Sequence, residues 1–110
     1  MTRPVGERLV LTNERIRVWE DVVAPGEAQP VHTHETPYLS VMVTAARAQV
    51  LDSDGRVLYD VDRSAGQVAW FGADRVPVTH TLRNVGAEEI RVVVVEMLDG
   101  AAPGAEPGRT

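Results

Sequence analysis

The chain has three histidines, and two of them stand together in "VHTHETPY", residues 31 to 38, as His32 and His34. Pro30 and Pro37 on either side favour an extended backbone, in which side chains at i and i+2 leave from the same face. Two neutral imidazoles on one face can share a cation at about 2.0 to 2.2 Å each. His80, in "VTHTLRN", is the remaining histidine that could complete a facial set from a distant strand. The same three residues also fit a plainer description, as surface histidines or as hydrogen-bonded core residues. Tyr38, four positions after His34, brings a phenol able to donate a hydrogen bond, move a proton, ligate a metal, or simply pack and bond a backbone carbonyl. There is no cysteine, so a thiolate nucleophile, a disulfide and a sulfur-ligated metal are all excluded. Any transition-metal site must be built from His, Asp, Glu or Tyr.

The elements that would position these residues are strands. The segments 15 to 23, 38 to 44, 47 to 51, 56 to 61, 67 to 71, 78 to 85 and 90 to 98 are short, rich in Val, Ile, Leu and aromatics, and several alternate in period two. Turn residues separate them: Pro25-Gly26, "DSDG" at 52 to 55, Ser64-Ala65-Gly66, Gly72 and Asn84-Val85-Gly86. "DSDG" between two strand-like runs predicts a hairpin, because Asp-Gly accepts the positive φ of a tight turn. "TAARAQVLDS" contains good helix formers, but its apolar stripe does not continue past two turns, and it is assigned to a strand. The pattern predicts an all-β fold, a sandwich or barrel. If Tyr38 faces the histidines, alternation carries Ser40 and Met42 down the same lumen and sends Glu35 to the opposite face. Trp70 and Phe71 are adjacent, so at most one of them lines the interior; Trp19 has the same ambiguity.

Set out by spacing, Gly26, His32, His34, Tyr38 and Ala45 form G-x5-H-x-H-x3-Y-x6-A. This resembles the first motif of the cupin superfamily, G-x5-H-x-H-x3,4-E-x6-G. "GQVAWFGADRVPVTHTLRN" resembles the second, G-x5-P-x-G-x2-H-x3-N, with His80 and Asn84 at its H-x3-N end. The resemblance spans roughly residues 15 to 98. It departs in five places: Tyr38 stands for the glutamate, Ala45 for the following glycine, Gly72 for the proline, Pro77 for the glycine before x2-H, and the stretch from Gly66 to His80 is three residues longer. The resemblance implies a cupin-type double-stranded β-helix, or jelly-roll barrel, with a divalent metal held by His32, His34 and His80. Three-histidine sites of that family imply Fe(II), with Zn(II), Ni(II) or Mn(II) also compatible. They imply an Fe(II)-dependent dioxygenase-like activity on a small chelating organic substrate. The alternatives are a non-redox isomerase, lyase, cyclase or hydrolase using Tyr38 as acid or base, and a barrel that binds a small molecule without turning it over.

At 110 residues the chain is expected to form a single domain over 1 to 98, followed by a flexible Gly, Pro and Ala-rich tail at 99 to 110. A net charge of −5 without a cluster of Lys or Arg argues against nucleic acid and anionic membranes, and points to a small-molecule substrate. No apolar run approaches the roughly 20 residues that span a bilayer, and the N-terminus lacks a secretory apolar stretch, so a cytoplasmic location is expected. In "IRVVVVEML" both alternating sets are largely apolar, which predicts burial on both faces and a homodimer.

Overall fold

Alternating β-branched residues form nine strands in a computed structural model that describes residues 6 to 98. They are β1 (Arg8–Thr12), β2 (Ile16–Val23), β3 (His32–His34), β4 (Tyr38–Met42), β5 (Ala46–Leu51), β6 (Val57–Arg63), β7 (Val68–Phe71), β8 (Val78–Asn84) and β9 (Ile90–Met97). One 3₁₀ turn, Ala73–Arg75, is the only helical piece among the described residues. The tail expected at 99 to 110 lies outside those residues. No helix among them is long and apolar enough to cross a membrane.

The strands make two antiparallel sheets, of order β1-β2-β9-β4-β7 and β3-β8-β5-β6. "TAARAQVLDS" supplies strand β5 rather than a helix, and "DSDG" closes the β5–β6 hairpin with Gly55 at φ +87°. Asp52 Oδ1 holds that turn by accepting the amides of Asp54 and Arg56, each at 2.9 Å. The segment "RLVLT" was not among the strands expected from sequence, yet it forms β1. It is an exposed edge strand whose register shifts between Leu9 and Leu11, so it shows no period-two burial to detect.

The inward faces meet in a core of Val23, Met42, Ala46, Ala48, Val50, Val61, Ile90 and Val92. A second cluster of Tyr38, Phe71 and Val94 packs with Trp19, which faces inward and donates its indole N–H to Glu96 Oε1 at 2.7 Å. Outside, the five-stranded sheet carries two apolar rows. Val18, Val95, Leu39 and Trp70 form one; Val93, Val41 and Val68 form the other. The two faces of β9 thus differ: Ile90, Val92, Val94 and Glu96 are buried, and the outward residues are half-buried.

Asn84 joins the sheets to the loop that precedes β3. Its side-chain amide donates to the carbonyls of Val23 (2.9 Å) and Glu88 (2.8 Å), and its Oδ1 accepts the amide of Gly86 (2.9 Å). Its backbone bonds Gly26 and Glu27, so the chain is clamped beside β8 before it reaches His32. This residue is nearly fully buried, and Asn84→Ala strands three polar partners. A loss of about 3 kcal/mol is expected, at about 1 kcal/mol or more per unmade bond, read as a lower denaturant midpoint with an unchanged slope.

Candidate metal centre

Strand β3 is three residues long and is held only along β8, where His32 lies opposite His80 and His34 opposite Val78. On the outer face the hydroxyls of Thr33 and Thr79 bond at 2.8 Å, which helps fix that register. The inner face gathers the imidazoles. Their ring centroids are 4.9 to 5.0 Å apart and nearly perpendicular, and one ring nitrogen from each lies within 4.8 Å of the others. His32 and His34 are buried and His80 is half-buried. His32 Nδ1 lies 2.9 Å from the Pro30 carbonyl, which can only accept. That nitrogen therefore carries the proton, and Nε2 keeps the free lone pair.

Burial holds all three rings neutral. It pushes His34 down to about 2 and His80 down to about 4, with His32 nearby adding to both and His80 to the first. His32 is lowered by the same burial, partly offset by its bond to Pro30. His34 Nδ1 is buried with no hydrogen-bond partner among the described residues. Three converging neutral nitrogens, one of the rings with an orphaned atom, fit a divalent transition metal better than they fit a hydrogen-bonded core. No carboxylate belongs to the cluster among the described residues. The glutamate position is filled by Tyr38, as the spacing shows.

Tyr38 lies in a stack. Its ring is 3.7 Å from His34 at 10° and 4.6 Å from Phe71 at 14°. No described residue accepts or donates at its hydroxyl, so the backbone-carbonyl bond considered for it is absent. Burial raises the phenol's pKa above its ordinary value, with Arg75 and Arg63 pulling the other way. At neutral pH it is a neutral donor facing a cavity of about 80 Å³. Ser40 and Met42 line that cavity as alternation predicts; Phe71 lines it too, while Trp70 points outward at 57% exposure. Gln29, Tyr59, Val61 and Arg63 also line it and were not anticipated. The strand expected at 56 to 61 runs on to Arg63, and two more residues of alternation would have placed that arginine inside with Tyr59 and Val61.

Gln29 is held from behind by Asp21, whose carboxylate accepts the Gln29 amide (2.7 Å) and the Glu7 backbone N–H (2.6 Å). Burial raises Asp21 from 3.8 to about 6. The folded state therefore keeps this proton to higher pH than the unfolded chain does. The associated stability is fully present below about pH 4 and is lost as pH rises to about 6. Asp21→Asn should accordingly gain on the wild type by several degrees in Tm between about pH 4 and about pH 7. Other titrations cancel in that difference, and thermal melts at both pH values test it; a difference independent of pH would contradict it.

No protein-family model and no curated protein sequence matches the chain. Among solved structures, a cupin domain from Bordetella pertussis Tohama I aligns with a TM-score of 0.71 and 23% identity, over 88% of this chain and 97% of that one. This chain has the cupin fold. An RmlC-like cupin protein with a double-stranded β-helix fold from Methanocaldococcus jannaschii aligns at a TM-score of 0.63 and 13% identity, over 82% and 76% of the two chains. The polyketide cyclase RemF from Streptomyces resistomycificus aligns at 0.56 and 21%, over 79% and 57%. Within the cupin fold the two motifs take distinct roles here. The histidines of both converge, whereas Asn84, at the end of the second, is structural. The three extra residues of that motif fall in the stretch that contains the 3₁₀ turn carrying Arg75.

Proposed function

We propose that the protein is a small-molecule metalloenzyme in which His32, His34 and His80 hold one divalent ion, Fe(II) by preference, for an oxygen-dependent conversion of a small chelating organic substrate. The observation that supports this reading is the largely buried, carboxylate-free cluster of neutral imidazoles lining a mostly apolar cavity. His32, His34 and His80 would hold the ion, which would supply Lewis-acid polarisation of a substrate oxygen. The chain's own contribution is orientation and exclusion of water. Tyr38 presents its hydroxyl from a fixed stack, and Met42, Val50, Val61, Ile90 and Val92 close the cavity with apolar surface.

A second reading is non-redox chemistry, such as cyclisation or isomerisation, with Tyr38 as the proton-donating group. The neutral phenol favours it, as does the similarity in fold to a polyketide cyclase. The deciding experiment loads the metal-free chain with Fe(II) or Zn(II) and presents a panel of small diketones and 2-oxo acids, with and without oxygen. Oxygen uptake that depends on Fe(II) supports the first reading. Turnover with Zn(II) under anaerobic conditions supports the second. A ligand bound tightly and recovered unchanged with either metal overturns both in favour of a binding barrel.

This reading includes a homodimer in which a second copy covers the outer apolar rows of the five-stranded sheet. One row runs across four adjacent strands and the other across three, and Val68 and Trp70 at their edge are each 57% exposed. A solution mass near twice 12.0 kDa, reduced by Trp70→Glu, is expected. A 12.0 kDa species at every concentration would end the idea.

A further inference from the structure

We propose that Arg63, assisted by Arg75 at the mouth, forms an anion-binding subsite beside the three histidines, so that the molecule entering the cavity is a small organic anion such as a carboxylate. The inference deepens the reading above by naming a substrate class, and it relies on that reading only for where the reaction occurs.

Among the described residues, Arg63 is the only one lining the cavity with a permanent charge, and no Asp or Glu lines it. The chain's other partnered arginines face acids: Arg8 pairs with Glu20, Arg17 with Glu96, and Arg91 with Glu20 and Glu89. Arg63 and Arg75 make no ion pair among the described residues. A guanidinium has five N–H donors in a planar fork that matches a carboxylate. Arg63 uses one of them, on Ser40 Oγ at 3.3 Å, and otherwise lies 5.9 Å from the centre of the Phe71 ring. Arg63 is half-buried at the cavity wall, and its remaining donors are left for an entering anion.

The location suits a ligand that reaches the histidines. Arg63 ends β6, the edge strand of the second sheet, and its side chain crosses to Ser40 on β4 of the first. Arg75 lies 5.2 Å from the same Phe71 ring, which in turn stacks on Tyr38 and through it on His34. One end of a small molecule can thus meet Arg63, Ser40 and Tyr38 while the other meets the histidines. Asp60 and Asp62 stand with these arginines in the outer depression, but alternation along β6 turns them away from the cavity that Arg63 enters. At roughly 10 to 15 Å³ per occupied position, a cavity of about 80 Å³ accepts a ligand of few heavy atoms.

The test compares butyrate with its neutral isostere butyramide, titrated into the isotopically labelled full chain at neutral pH, metal-free and Zn(II)-loaded, at fixed ionic strength. Butyrate is expected to bind at least tenfold more tightly than butyramide in the metal-free chain, moving resonances of Arg63, Ser40 and Phe71. Arg63→Gln should abolish that preference while keeping the wild-type Zn(II) content, and Arg75→Gln should reduce it by a smaller factor. Equal binding of the two probes, no saturable binding of butyrate, or a preference that survives Arg63→Gln would each overturn the inference. The wild-type comparison decides even if a variant fails to fold. Zn(II) uptake without anion preference defeats this inference alone; anion preference without Zn(II) uptake defeats the metal reading alone.

Discussion

Replacing His80 with alanine is expected to reduce bound divalent metal from near one ion per chain to less than a tenth of that, through a loss of affinity of at least about 100-fold. About 2.7 kcal/mol corresponds to that factor, and deleting one of three coordinating nitrogens readily supplies it. His80 is the only one of the three donated by β8, so its loss leaves His32 and His34 as a two-point site on a three-residue strand. The fold should survive. His80 is half-buried, makes no hydrogen bond among the described residues, and carries a desolvation cost that alanine removes. The metal-free variant should therefore melt at or above the metal-free wild type, whereas added Zn(II) should raise the Tm of the wild type alone. Elemental analysis of protein purified without a chelating tag measures the first effect, and a competition titration with a chromophoric chelator measures the second. His32→Ala should behave alike. Undiminished metal in both variants would mean that the histidines serve another purpose.

Tyr38→Phe is expected to lower kcat by about 10² to 10³-fold, the range for loss of a positioned proton donor, with metal content and KM little changed. Phenylalanine keeps both halves of the stack, against His34 and against Phe71, so packing is conserved and only the hydroxyl is lost. Because that hydroxyl bonds no described residue, its removal leaves nothing in the protein unpaired. Tyr38→Ala is a different perturbation. It empties the space between two rings and should cost about 3 kcal/mol or more of stability, seen as a lower denaturant midpoint. The pair separates three roles for this residue. A fall in kcat with metal retained marks a group acting on substrate; a fall in metal content in Tyr38→Phe marks a ligand; unchanged turnover leaves packing as its function.

Much of the site can be inferred from local spacing because strand alternation is a property of the backbone. His32 and His34 share a face, Tyr38, Ser40 and Met42 share a face, and Glu35 points away, all for that one reason. The absence of cysteine removes sulfur ligands before any folding is considered, whereas the lack of a carboxylate in the cluster is seen only in the folded chain. Seven of the nine strands were visible too; β3 was expected only as an extended stretch, and β1 escaped because an exposed, bulged edge strand has no buried side to betray it.

Other features required the tertiary structure. That His80 lies opposite His32 depends on the β3–β8 register, which is set by contacts 46 residues apart such as Thr33 with Thr79 and by the clamp through Asn84. Arg63 and Arg75 are unremarkable charges along the chain, since nothing local reveals that one crosses between sheets and the other sits over Phe71. The same holds for Asp21, whose pKa is raised by burial against the opposing hydrogen bonds from Gln29 and the Glu7 amide. The sequence by itself supplied the candidate ligands and the face each strand shows them to. Which donors meet, how dry their surroundings are, and which charge waits beside them were decided by sheet register and by the packing of one sheet on the other, because those distances join residues that the chain keeps far apart.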